Sequence, residues 1–322
     1  MKFLAVTLLA LAAVASARNV NLEDVIDLED ITAYGYLTKI GLPLANEIRQ
    51  AEEESAQNPS RITGGSASSV GQFPYQAGLL ADFAGGQGVC GGSLLNARRV
   101  LTAAHCWFDG QNQAWRITVV LGSVRLFSGG TRMATFSVIM HNDWNPSLIR
   151  NDVAIINLPI NVGTSNNIAP IALPSGSQLN EDFAGNVAVA SGFGRTGDST
   201  GISTNQFLSH VSLTVITNNL CSESFPAIVQ SSNICTSGAN AQSTCRGDSG
   251  GPLVVTRNNI PILVHRCDVL RFCPRLPSWF SCRLCQGYLV HQLDQQPSLD
   301  HKILHLITAY ISNNFNKNIL II

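Results

Sequence analysis

Three short stretches of this chain carry side chains suited to acyl transfer. Gly247-Asp248-Ser249-Gly250-Gly251 sets a serine between glycines, where a tight turn exposes a nucleophile and lets a substrate approach the backbone closely. The backbone N–H groups of Gly247 and Ser249 are candidates for binding one oxyanion. Thr102-Ala103-Ala104-His105-Cys106 offers a histidine as general base, and Asn151-Asp152-Val153-Ala154-Ile155 an aspartate at the start of an apolar run. Taken singly, each has a plain explanation. Gly-Asp-Ser-Gly occurs in ordinary loops, His105 is a surface histidine beside a cysteine, and Asp152 caps a turn before a strand at 153–158. Taken together, in the order histidine, aspartate, serine, they point to a nucleophilic serine, its base and the carboxylate that orients the base.

With these motifs the chain resembles the chymotrypsin family of serine endopeptidases, most of all the digestive chymotrypsins and collagenase-like proteases of insect midgut. The likeness runs from about Arg61 to about Val264. It implies an all-β fold of two antiparallel six-stranded Greek-key barrels, the first at about 62–166 and the second at about 168–264, with the active site in the cleft between them. It implies the catalytic residues His105, Asp152 and Ser249, an oxyanion hole at Gly247 and Ser249, and a His105–Ser249 hydrogen bond in the ready enzyme. No metal or cofactor is called for. Partners are protein and peptide substrates, an activating trypsin-like protease and protein protease inhibitors.

The likeness further implies a bridge from Cys90 to Cys106, pinning the histidine loop, and another from Cys221 to Cys235. Cys245 would join a cysteine on the far wall of the specificity pocket, but none follows in the expected context. The nine cysteines are an odd number, which itself flags a leftover thiol. Ser243 falls at the pocket base. An uncharged floor there favours large apolar side chains before the cut bond, where an acid would favour Lys or Arg.

The elements that must position these residues are short Val-, Ile- and Leu-rich runs separated by Gly, Ser, Asn and Thr, as in a β-barrel protein. Twenty basic residues against 21 acidic ones leave no polybasic surface for nucleic acid or an anionic membrane. Met1-Lys2, the apolar run 3–14 and Ala15-Ser16-Ala17 read as a signal peptide at 1–17, too short to span a bilayer. Secretion, to a gut lumen, permits disulfides. Between Ile62 and Val264 every basic side chain other than histidine is arginine, which keeps its charge in an alkaline lumen.

Residues 18–61 read as an activation pro-segment, acidic at Glu23, Asp24, Asp27, Glu29 and Asp30 and free of cysteine. By the resemblance, cleavage between Arg61 and Ile62 frees an ammonium that pairs with Asp248 and orders the oxyanion loop. Without a disulfide tether the pro-segment is expected to leave.

Beyond Val264 the likeness stops. Residues 265–322 lack the expected Ser-aromatic-Gly strand, the Gly-Cys pocket wall and the closing helix. Cys267, Cys273, Cys282 and Cys285 fit a zinc module poorly, since only the last two are closely spaced. Codons for 265–296 can instead be chosen so that the next frame spells Ser-Phe-Gly, Gly-Cys and a helix start, which makes this stretch an out-of-frame tail. The competing function is a catalytically inactive homologue that binds other proteins, because its pocket wall is missing.

Overall fold

The computed structural model describes residues 32–57, 67–196, 202, 208–224, 229–238 and 244–264. Strands β1 (Gln76–Phe83), β2 (Gly86–Asn96), β3 (Arg99–Thr102), β4 (Ala114–Leu121), β5 (Thr131–Thr135), β6 (Val138–Met140) and β7 (Ala154–Asn157) form one antiparallel sheet, ordered β5-β4-β1-β2-β3-β7-β6. The two outermost strands, β5 and β6, are consecutive pieces of one segment broken at Phe136-Ser137. That segment pairs with β4 at one end and β7 at the other, so it closes the sheet into a barrel. Seven strand segments thus make six sides.

The second sheet holds β8 (Val187–Gly192), β9 (Ser209–Ile216), β10 (Cys235–Thr236), β11 (Leu253–Arg257) and β12 (Ile260–Leu263), ordered β10-β9-β8-β11-β12. It shows five strands among the described residues. The expected continuation after Val264 lies outside them.

Alternation explains the first barrel's core. Ala77, Leu79, Ala81 and Phe83 of β1 face inward with Ile117, Val119 and Leu121 of β4. Yet β1 is buried along its whole length, so its outer face is covered as well. The cover comes from residues 37–55, upstream of the barrel. A helical turn, Leu37–Gly41, leads into α1, Leu42–Gln57. Leu44, Ala45 and Ile48 of α1 pack on Leu80, Val89 and Val120, the outward side chains of β1, β2 and β4. A helix of this length is marginal in water by itself, so docking is what stabilises it.

The two halves meet through Leu95, Leu101, Val153 and Ile155 from the first and Val254 and Leu263 from the second. The short α2, Asn218–Ser224, lies in the second half and carries Cys221, bridged to Cys235 at the start of β10.

Candidate active site

Register brings the histidine and the aspartate together. Thr102, the last residue of β3, pairs with Ala154, the first of β7. In antiparallel strands the residues just after one and just before the other share an end, and those residues carry His105 and Asp152. His105 lies in a 3₁₀ turn, Ala104–Cys106, held to β2 by the Cys90–Cys106 disulfide. Asp152 follows Asn151, whose φ of 58° sharpens the turn into β7.

Both oxygens of Asp152 act on the one histidine. Oδ2 accepts from Nδ1–H at 2.7 Å, and Oδ1 accepts from the His105 backbone N–H at 2.9 Å. The pair is buried, with 0% of His105 and 1% of Asp152 exposed. A carboxylate on Nδ1 fixes the tautomer whose Nε2 carries the reactive lone pair. That Nε2 is buried and makes no hydrogen bond among the described residues, so the expected His105–Ser249 hydrogen bond is not formed here.

Ser249 sits at the end of a compact loop. The Asp248 N–H donates to the Cys245 carbonyl at 3.2 Å, and the Gly251 N–H to the Asp248 carbonyl at 3.0 Å. The Gly91 N–H of β2 donates to the Ser249 carbonyl at 2.7 Å, which ties this loop to the first barrel. Gly250 makes the close approach possible. With φ at 76°, it leaves no space for a Cβ, which would collide with Thr102 Oγ1 and come within 2.8 Å of Ala103 N. The serine loop therefore lies directly on the histidine loop.

Asp248 is 8% exposed, and its carboxylate accepts from Gly194 N–H and Cys245 N–H, each at 2.9 Å. Gly247 has φ of 96°, and a Cβ there would strike Leu44 of α1. Cys245 forms no disulfide among the described residues. Arg61, Ile62 and Ser243 lie outside the described residues, as does the tail from His265.

Two features went unread in the sequence. Tyr36 lies edge-on to His105, the ring centroids 4.3 Å apart. Asp109, fully buried, accepts from the N–H groups of Gln111, Asn112 and Leu37, the last at 2.8 Å. The helix left only a weak signal: Leu44, Ala45, Ile48 and Ala51 recur at helical spacing, but Glu52 and Ser55, buried with them, break the apolar stripe.

Two β-sheets with a buried carboxylate–imidazole pair and a glycine-flanked serine between them describe a serine protease domain. The family pattern named Trypsin matches residues 62–267, and the chain belongs to that family. It is 39% identical over 204 residues to a collagenase of Hypoderma lineatum, covering 63% of this chain and 75% of that protein. It is also 36% identical over 206 residues to Achelase-1 of Lonomia achelous, covering 61% of this chain and 92% of that one. A solved structure of HL collagenase superposes with a TM-score of 0.64 at 33% identity, covering 73% of this chain and 97% of that one. The chain carries a serine endopeptidase domain, a hydrolase of peptide bonds in proteins.

Proposed function

We propose that this is a secreted zymogen of a digestive endopeptidase that cuts after large apolar residues through an acyl-enzyme. The observation that carries the reading is the double grip of Asp152 on His105 beside a clamped Ser249 loop. Ser249 Oγ attacks the substrate carbonyl carbon while His105 Nε2 takes its proton. The tetrahedral oxyanion is held by the N–H groups of Gly247 and Ser249. His105 then gives the proton to the leaving amine as the C–N bond breaks, and the acyl group remains as an ester on Ser249. Water, deprotonated by His105, attacks that ester and releases the acid. Asp152 stays ionised throughout and stabilises the imidazolium.

Cleavage after Arg61 supplies the switch. The new Ile62 ammonium becomes the counter-charge of buried Asp248, whose loop bears both oxyanion donors. The neutral Ser243 sets the preference for apolar side chains. The Cys90–Cys106 and Cys221–Cys235 disulfides fit an oxidising compartment, and no helix among the described residues is long and apolar enough to cross a membrane.

A specific observation favours a second reading. The family match ends at 267, and the sequence beyond Val264 lacks the family's Gly-Cys pocket-wall motif. On this reading no pocket wall forms, and the protein is an inactive, protein-binding homologue. An out-of-frame tail reconciles the two readings, the intact gene encoding the enzyme.

Active-site titration separates them. A serine-directed phosphonate carrying a phenylalanine-like group should label Ser249 in the Arg61-cleaved protein. Absence of labelling in a protein with the restored frame leaves only the homologue.

A further inference from the structure

The pro-segment does more than precede the cleavage point. Its Tyr36 covers the imidazole of His105, which has no exposed surface left. Its Leu44 presses on Gly247, beside Ser249, which is 2% exposed. Between them Leu37 is fully buried, and its backbone N–H is fixed by Asp109. A peptide substrate would need this same space over the base and the nucleophile.

The docking is specific as well as apolar. Glu52 is 7% exposed and caps the loop after β4, accepting from Leu126 N–H at 2.5 Å, Phe127 N–H at 3.0 Å and Ser128 Oγ–H at 2.9 Å. Glu47 pairs with Arg195 at 2.5 Å, two residues beyond Phe193, which packs with Leu44 and Ile48. Arg49 donates to Gln87 at 2.9 Å and lies 4.6 Å over the ring of Phe127. These contacts spread from Ala33, whose N–H donates to the Pro146 carbonyl, to Ser55, which accepts from Arg125.

On the segment's side, every one of these contacts is made by a residue N-terminal to Arg61. Hydrolysis of the bond after Arg61 breaks none of them.

We propose that residues 32–57 are a separable inhibitory ligand of the cleft. After cleavage at Arg61 the segment stays docked as a second, non-covalent chain and excludes substrate, and the free segment binds back in trans. Activation then has two steps, cleavage and clearance, and a released segment restrains neighbouring enzyme molecules. The effect on activity rests on the endopeptidase reading; the binding does not.

The test begins with the full chain carrying Ser249→Ala, cut after Arg61 by limited trypsin treatment checked by mass and then gel-filtered under native conditions. The fragment upstream of the cut should co-elute with the domain. The same chain with Leu44→Asp and Glu52→Lys should release it. A fluorescein-labelled synthetic 32–57 peptide should exchange into the cut complex, and its Leu44→Asp form should bind on the order of 100-fold more weakly. That arm places the substitution on the peptide, so folding of the domain is not at issue. A wild-type fragment that separates at once, or a peptide that does not exchange, overturns the proposal. With Ser249 intact and the reading frame restored, phosphonate labelling of the cut Leu44→Asp chain should be at least about tenfold faster than that of the cut wild-type chain; equal, measurable rates overturn the inhibition. No labelling of either chain sinks the endopeptidase reading instead, and co-elution and exchange then decide whether the segment is a ligand.

Discussion

Asp152→Asn is the sharpest test of the site, because the geometry dictates how the amide must sit. Oδ1 accepts a backbone N–H at 2.9 Å, a donor that cannot change, so the amide oxygen must take that place. The amide NH₂ then faces Nδ1, where the carboxylate stood at 2.7 Å. Nδ1 must become an acceptor, and the ring proton moves to Nε2, the atom that should receive the proton of Ser249. The cost to kcat is about 10⁴-fold, or roughly 5.4 kcal/mol of barrier. Stability should hardly change, since both hydrogen bonds survive in altered polarity. Asp152→Ala, by contrast, strands the buried N–H of His105 and should cost about 1–3 kcal/mol of folding stability. The assays are initial rates on a chromogenic peptide with phenylalanine before the cut bond, the His105 tautomer from nitrogen NMR of the uncut chain, and urea denaturation of both variants. An Asn variant within tenfold of wild-type rate, or one whose Nε2 is still unprotonated, would refute the reasoning.

Gly250→Ala should destabilise the protein by about 2–4 kcal/mol in urea melts, summing a left-handed backbone penalty and a collision with the histidine loop; a loss under about 0.5 kcal/mol would show that the two loops are not clamped. Glu52→Ala should cost the uncut chain about 1–3 kcal/mol, by leaving the N–H groups of Leu126 and Phe127 without their buried acceptor. The same change should leave the melting of the protein unaltered once the segment has been cleared, and an equal effect in both states contradicts the docking role. In the transcript, codons 258–300 should spell the Ser-Phe-Gly and Gly-Cys elements in the next frame, and restoring that frame should give Cys245 a disulfide detectable by peptide mass mapping; codons that do not spell them make the tail genuine.

The strand after Asp152 was legible because its residues are of strongly marked types, and the order of the motifs named His105 and Asp152 as partners. Apolar runs on either side of His105 and Asp152 specify β3 and β7, and pairing them leaves little freedom at their shared end. The bend at Phe136-Ser137 was not legible, since nothing in the alternation of 131–140 distinguishes one strand from two. Phe136 is left exposed by that bend and stacks on Trp115, a surface contact without sequence periodicity. The inhibitory helix was hidden for another reason. Of its buried residues only Leu44 and Ile48 are large and apolar; Ala45, Ala51, Glu52 and Ser55 read as a surface. Glu52 is buried because a loop some seventy residues away turns its N–H groups toward it, and no local pattern announces that. Asp109 is a similar case, a carboxylate whose four hydrogen bonds come from two residues of its own turn and from Leu37.

The barrel that closes on the 131–140 segment has a consequence for how the protein is made. Its last strand, β7, ends at Asn157, so the base and its aspartate are joined within the first half of the chain. The nucleophile arrives almost a hundred residues later. During synthesis, which proceeds from the N-terminus with units folding as they emerge, the ribosome holds a finished barrel already covered by its own helix before a serine exists to be activated. A nascent chain not yet extended to Ser249 has the base and its aspartate but no nucleophile, so it cannot carry out the chemistry.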